Sequence, residues 1–264
     1  MAVMSGTAEG RQLVESLDRW FHTDLGALVL EEELKKLGAM SSRLFGYYLL
    51  EVSLLCSHAD YLQECPIRRR FRLSPCPSAG NQVLSMPEQL PVISDYIDAV
   101  ILPHTLDFSA DPRQVLREVE RILIPEGKVV ISGFNPWSLW GLWRAMPGAG
   151  RKLPWRGHFL SYSQVEDWLS LLGFDVEEVQ TVLFRPPWKR AFLMRQALVM
   201  ERLGSRFWPW LAGVYIIVAS KRVSTLTPIR PRWRLQQSLR KASVQPVVNQ
   251  INPEQDGVDS DAGG

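Results

Sequence analysis

The stretch DYIDAVILPHTLDFSADPRQVLREVERILIPEGKVVISGF, residues 95–134, limits what this chain can fold into more than any other part of it. AVIL at 99–102 is a short apolar run bounded by turn chemistry, as expected of a strand covered on both faces. Asp111 followed by Pro112 is a helix start, a capping carboxylate with proline at the first helical position. Val115, Leu116, Val119, Ile122 and Leu123 then form one apolar stripe at helical spacing. Pro125 and Gly127 are expected to end that helix, and KVVISGF reads as the next strand. Strand, helix, strand with both strands buried is a βαβ unit, which requires a parallel sheet.

The remaining segments extend that sheet. DLGALVLEEELKKL at 24–37 reads as a helix capped by Thr23 or Asp24, with Glu31–Lys35 and Glu32–Lys36 pairs on its wet face. YYLLEVSLL at 47–55 reads as a buried strand, and the basic run RRRFRL at 68–73 leads into a Pro/Ser/Gly loop. Ser161 or Ser163 caps a helix through QVEDWLSLLG, a strand follows at 174–184, and YIIVASKR reads as the last strand. Residues 1–223 are expected to form one domain with a helical N-terminal extension over 8–45. Residues 221–241 carry seven Lys/Arg and no acid, and residues 224–264 are read as a disordered tail.

Composition excludes several classes. A net charge of +2 gives no global reason to expect nucleic acid. Three cysteines without a C-x-x-C pair argue against a disulfide framework and against a metal site, so a reducing cytoplasmic location is expected. The longest apolar run, residues 207–219, has 13 residues and contains a proline, too short for the roughly 20 that cross a bilayer.

The quoted 95–134 stretch, with MPEQLPVISDYIDAV before it, resembles the class I S-adenosylmethionine-dependent methyltransferases. There Asp98 opens the family's fourth strand, His104 closes it, and ILIPEGK matches the loop usually written L-x-P-G-G. WFHTDLG and FNPWSLWG resemble a bacterial branch of the methyltransferase type 11-like group, and the likeness spans roughly residues 20–222. It implies a Rossmann-like three-layer α/β/α sandwich, a mostly parallel sheet with an antiparallel last strand, and S-adenosylmethionine as cofactor. Carried over residue by residue, it implies cofactor contacts from Glu51, Ser53, Ser85, Met86 and His104. By its place at a strand's carboxyl end His104 is either a general base or substrate contact, oriented by Asp107, or a histidine that hydrogen-bonds a loop backbone, with Asp107 capping the loop.

The chain departs from that pattern at the first strand. Where the family has L-E/D-x-G-x-G-x-G this chain has LLEVSLLCS: Glu51 is kept, but Ser53, Leu55 and Ser57 replace the glycines. Glycine there permits positive φ and close approach to the cofactor. Ser74 stands where the family grips ribose with an acid, and Ser85 where an Asp often meets adenine. Two readings follow: transfer of a methyl group to a small or lipid-like acceptor, or a non-catalytic member of the fold that binds a protein or membrane partner.

Trp137, Trp140 and Trp143 recur every third residue just past the fifth strand, and if helical they share an arc of roughly 120°. Such an arc is either core, or a roof over the acceptor or a membrane-facing lip, so Asn135, Trp137 and Trp140 are candidate substrate residues. The segment 185–210 mixes six basic residues with Trp188, Trp208 and Trp210, a composition compatible with peripheral membrane contact. FNPW and RPPW are decoys for the signature of amino-methylating enzymes: one lies after the wrong strand, and the other begins with Arg185, which offers no acceptor. DNA is therefore not expected as substrate.

Overall fold

The computed structural model of the chain describes residues 8–54, 61–75, 83–144, 157–183 and 212–222. The chain divides after Ser224 into two units, and every described residue belongs to the first. The expected insertion at 185–210 and tail at 224–264 lie outside the described residues.

Seven strands form one sheet: β1 (Tyr48–Val52), β2 (Arg69–Ser74), β3 (Val83–Leu84), β4 (Ile97–Pro103), β5 (Leu123–Phe134), β6 (Phe174–Val182) and β7 (Val214–Lys221). Their order is β3-β2-β1-β4-β5-β7-β6, and β7 alone runs antiparallel to its neighbours. The chain moves outward from β1 to β3, then returns to β4 on the other side of β1. The β1/β4 boundary is thus the topological switch, whose carboxyl edge is the ligand side of open parallel sheets.

Alternation along the strands divides the core between two faces. Leu49, Ala99, Ile101, Val130 and Ile216 face Leu37 and Met40 of helix α2 (Asp24–Ser41). Leu50, Val52, Val100, Leu102, Val129 and Ile131 face helices α4 (Pro112–Ile122) and α6 (Tyr162–Leu171). Helix α1 (Ala8–Phe21) lies across the carboxyl ends, where Val14, Leu17 and Phe21 pack with Leu54, Phe134, Trp140 and Val214. The short helices α3 (Thr105–Phe108) and α5 (Leu139–Arg144) follow the tips of β4 and β5.

Local chemistry sets the helix starts. Thr23 accepts a hydrogen bond from Gly26 N–H at 3.2 Å, Ser161 from Gln164 N–H at 3.3 Å, and Asp111 from Arg113 and Gln114 N–H at 3.0 and 3.1 Å. Helix α4 ends at Ile122, ahead of Pro125 rather than at it, because the chain already extends at Leu123 to enter β5. The pairing of β5 with β4 is irregular between Ile97 and Ala99, which absorbs Pro125 and Gly127. Gly46 has φ +143, and a Cβ there would strike the Asp98 side chain. That close approach lets Asp98 accept from Tyr47 and Tyr48 N–H at 3.1 and 2.9 Å and seat the start of β1.

The tryptophan arc does not form. Trp137 precedes α5 and is 73% exposed, whereas Trp140 is 1% exposed. The Asn135–Pro136 turn starts the helix too late for the two indoles to share a face.

Candidate active site

The carboxyl tips of β1 and β4 are tied directly. Thr105 Oγ1 donates to Val52 O at 2.6 Å, and Ser53 N–H donates to Leu73 O of β2 at 3.0 Å. Ser85 and Met86, following β3, are half-buried, and Met86 packs against the α1 cluster that contains Leu54. Residues 53–54, 85–86 and 104–105 therefore share the edge at which the strand order reverses.

His104 is the most elaborately held residue there. It leaves β4 in the left-handed region, φ 50, and is 1% exposed. Nδ1 lies 2.9 Å from Asp107 Oδ2 and Nε2 lies 3.0 Å from Glu33 Oε2 on α2. Phe134 stacks on the imidazole at a 4.1 Å centroid distance, and Phe21 closes it from α1 at 5.8 Å. Ser132 Oγ donates to the other Glu33 oxygen, and Asp107 Oδ2 also accepts from Phe134 N–H at 2.9 Å. Burial alone would pull the imidazole down. The Glu33 charge and the Asp107 hydrogen bond outweigh it and hold the ring up at about 10. Burial pushes the Asp107 carboxyl up, against the pull of His104. With a carboxylate on each nitrogen, this environment favours the imidazolium, a form that donates protons and does not accept them.

The sequence gives little warning of Glu33, which sits in the run EEELKK among ion-paired neighbours. The signal is its phase: Val29, Glu33, Leu37 and Met40 share the buried stripe of α2, so a carboxylate interrupts an apolar face. Arg72 is the second residue missed. It lies opposite Glu51 in the β1–β2 register, and its Nε and Nη2 donate to Glu51 Oε2 at 2.9 and 2.6 Å. Their side chains are 17% and 6% exposed, so the Glu51 charge is already neutralised by Arg72.

Past the tip of β5, Asn135 is 5% exposed. Its Nδ2 donates to Ala212 O at 3.0 Å, and its Oδ1 accepts from Trp137 N–H at 3.0 Å. Asn135 thereby fixes the turn that presents Trp137, while Trp140 is packed with Phe134 and Trp20. Among the described residues no group of three or more His, Cys, Asp or Glu is arranged to hold a metal ion. Among them, too, no helix is long and apolar enough to cross a membrane.

Residues 69–131 match the family model described as a methyltransferase domain. The fold is that of the class I S-adenosylmethionine-dependent methyltransferases, and residues 69–131 carry the likeness in sequence. It is 29% identical over 237 residues to the Escherichia coli K12 protein YafS, covering 90% of this chain and 92% of that one. Among solved structures it resembles an S-adenosylmethionine-dependent methyltransferase from Thermotoga maritima, at 19% identity and a TM-score of 0.56, covering 80% of this chain and 98% of that one. A second, from Archaeoglobus fulgidus, gives 18% identity, a TM-score of 0.51, and coverage of 77% and 97%.

The cofactor of this family is S-adenosylmethionine. The residues present fit its base: a hydroxyl from Ser85, which donates to Gln89 O at 2.7 Å and is left to accept, a thioether wall from Met86, and, two residues on, a buried Glu88 Oε2 without a hydrogen-bond partner among the described residues. They fit its ribose less well, since Ser74, fully buried, replaces the usual acid.

Proposed function

We propose that this chain transfers the methyl group of S-adenosylmethionine to a small or lipid-like acceptor at the carboxyl edge of β1, β4 and β5. In this reading Ser85 and Met86 hold the base, while Ser53 and the backbone at His104 hold the other end. Glu51 contributes through its ion pair with Arg72. The bound cofactor supplies an electrophilic methyl on a sulfonium, so the chain's own work is alignment and exclusion of water rather than covalent help. Trp137 contacts the acceptor, and Asn135 and Trp140 position it. His104 acts as a positioning residue: its charged ring clamps α2 and the β4 and β5 tips against one another.

The observation that carries the acceptor class is the apolar character of this edge. The cluster beyond the strand tips is built from Phe21, Phe108, Phe134, Trp140 and Phe159, and its rim exposes Trp137 at 73% and Leu142 at 68%. An acceptor that reaches it gains by burying apolar surface.

Calorimetry with S-adenosylmethionine and S-adenosylhomocysteine tests the cofactor, and radiolabelled methyl transfer into a cell extract split into organic and aqueous fractions tests the acceptor. Heat of binding and label in the organic phase are expected. A folded protein that gives no heat at millimolar ligand leaves the non-catalytic reading in place. Label confined to the aqueous phase overturns the lipid-like acceptor.

A further inference from the structure

At the opposite end of the strands the sheet presents a surface that methyl transfer does not use. Tyr48 at the start of β1, Phe71 on β2 and Tyr96 ahead of β4 stand side by side. The Tyr48 ring lies 6.2 Å from Phe71 and 4.8 Å from Tyr96, each pair within 25° of parallel. Arg69 holds its guanidinium 5.5 Å from the Tyr48 ring centre and donates to Tyr48 Oη at 2.8 Å. The register explains the assembly: Tyr48 pairs with Arg69 and Leu50 with Phe71, so all of these side chains share the face covered elsewhere by α4 and α6. Here the face is open, with Phe71 40% and Tyr96 45% exposed. The patch lies four residues of β1, about 13 Å, from the Val52 tip, and so stands apart from the transfer site.

Charge selects the occupant. Among the described residues Arg69 meets no carboxylate, and Asp98, next to Tyr48 on β4, spends its own on the Tyr47 and Tyr48 N–H groups. Pairing with a second copy about a two-fold axis would bring Arg69 towards its own counterpart, which disfavours it. A flexible polyanion with flat apolar faces suits both halves of the patch: exposed rings on adjacent strands stack bases, and arginines beside them meet phosphates. We infer that the Tyr48–Phe71–Tyr96 ladder with Arg69 is a binding surface for single-stranded nucleic acid. The +2 net charge conceals it because the positive charge is local.

The test is fluorescence anisotropy of labelled oligo(U) and oligo(dT) with the full chain, alongside Phe71→Ala, Tyr96→Ala and Arg69→Gln variants whose folding is checked by circular dichroism. Binding of either oligonucleotide is expected, weakened roughly five- to a hundredfold by each ring deletion. Arg69→Gln should reduce the slope of log affinity against log salt by about 0.7. Absence of binding overturns the proposal. So does binding that the ring deletions leave unchanged, which would place the nucleic acid on another basic segment. Sedimentation that shows a dimer abolished by the ring deletions, without oligonucleotide binding, would reassign the face to a second copy.

Discussion

His104 shows how a residue at a catalytic address can be committed to structure. With a carboxylate on each nitrogen and aromatic rings above it, the imidazolium is the central charge of a fully buried cluster. Its folded value of about 10 lies above the ordinary 6.5. The contribution of the His104 shift to stability is therefore complete below about pH 6.5 and is lost progressively as the pH rises towards 10, by at most about 1.4 kcal/mol per unit. Urea unfolding midpoints measured across that window should fall with pH. In His104→Gln the fall should flatten, and the variant should be less stable near neutrality by about 3–5 kcal/mol, because Glu33 and Asp107 remain buried without their cation. A pH profile that is the same in variant and parent would show that the ring is neutral in the folded protein.

At the scale of elements, the seating of α1 and α2 depends on one close contact. A Cβ at Gly26 would fall on the Trp20 carbonyl and lie 2.6 Å from Phe21 Cα, so the helices approach backbone to backbone. Gly26→Ala should push α1 off the strand tips even though alanine favours a helix. The expected readouts are a red-shifted tryptophan emission from Trp20 and a loss of about 1–3 kcal/mol in stability. An unshifted spectrum would mean that α1 adjusts without leaving. The elements themselves are largely legible in the sequence because they rest on local rules. The Asp111–Pro112 start, the Val115–Ile122 stripe and the VYIIVASK strand each declare themselves through capping or periodicity. What escapes is set by the way elements face one another. Glu33 looks solvated until α2 is laid on the sheet, and Arg72 looks like part of a basic patch until the β1–β2 register puts it on Glu51. The Trp137–Trp140 arc fails for the same reason: three-residue spacing has meaning only once the helix start is known, and the Asn135 turn delays it.

At the scale of the whole molecule, a cofactor held between the strand tips couples to the stability of the entire sheet, because the unfolded chain lacks that site. At a ligand concentration a hundredfold above its Kd, linkage adds about 2.7 kcal/mol. For a domain of this size that corresponds to a rise of about 5–10 °C in melting temperature. S-adenosylhomocysteine should give such a shift in scanning fluorimetry. His104→Gln should lower the starting temperature yet retain most of the shift, since in the proposed reading that residue serves the scaffold and meets the cofactor only through its backbone. Leu55→Gly tests the opposite kind of residue. Leu55 stands where the family has a glycine, so removing its side chain should tighten binding and enlarge the shift at fixed ligand. If the shift is the same with leucine and with glycine, the loop after β1 does not limit affinity. The replacement of the ribose acid by Ser74 then becomes the reason for any weakness, and Ser74→Asp is the variant that should restore affinity.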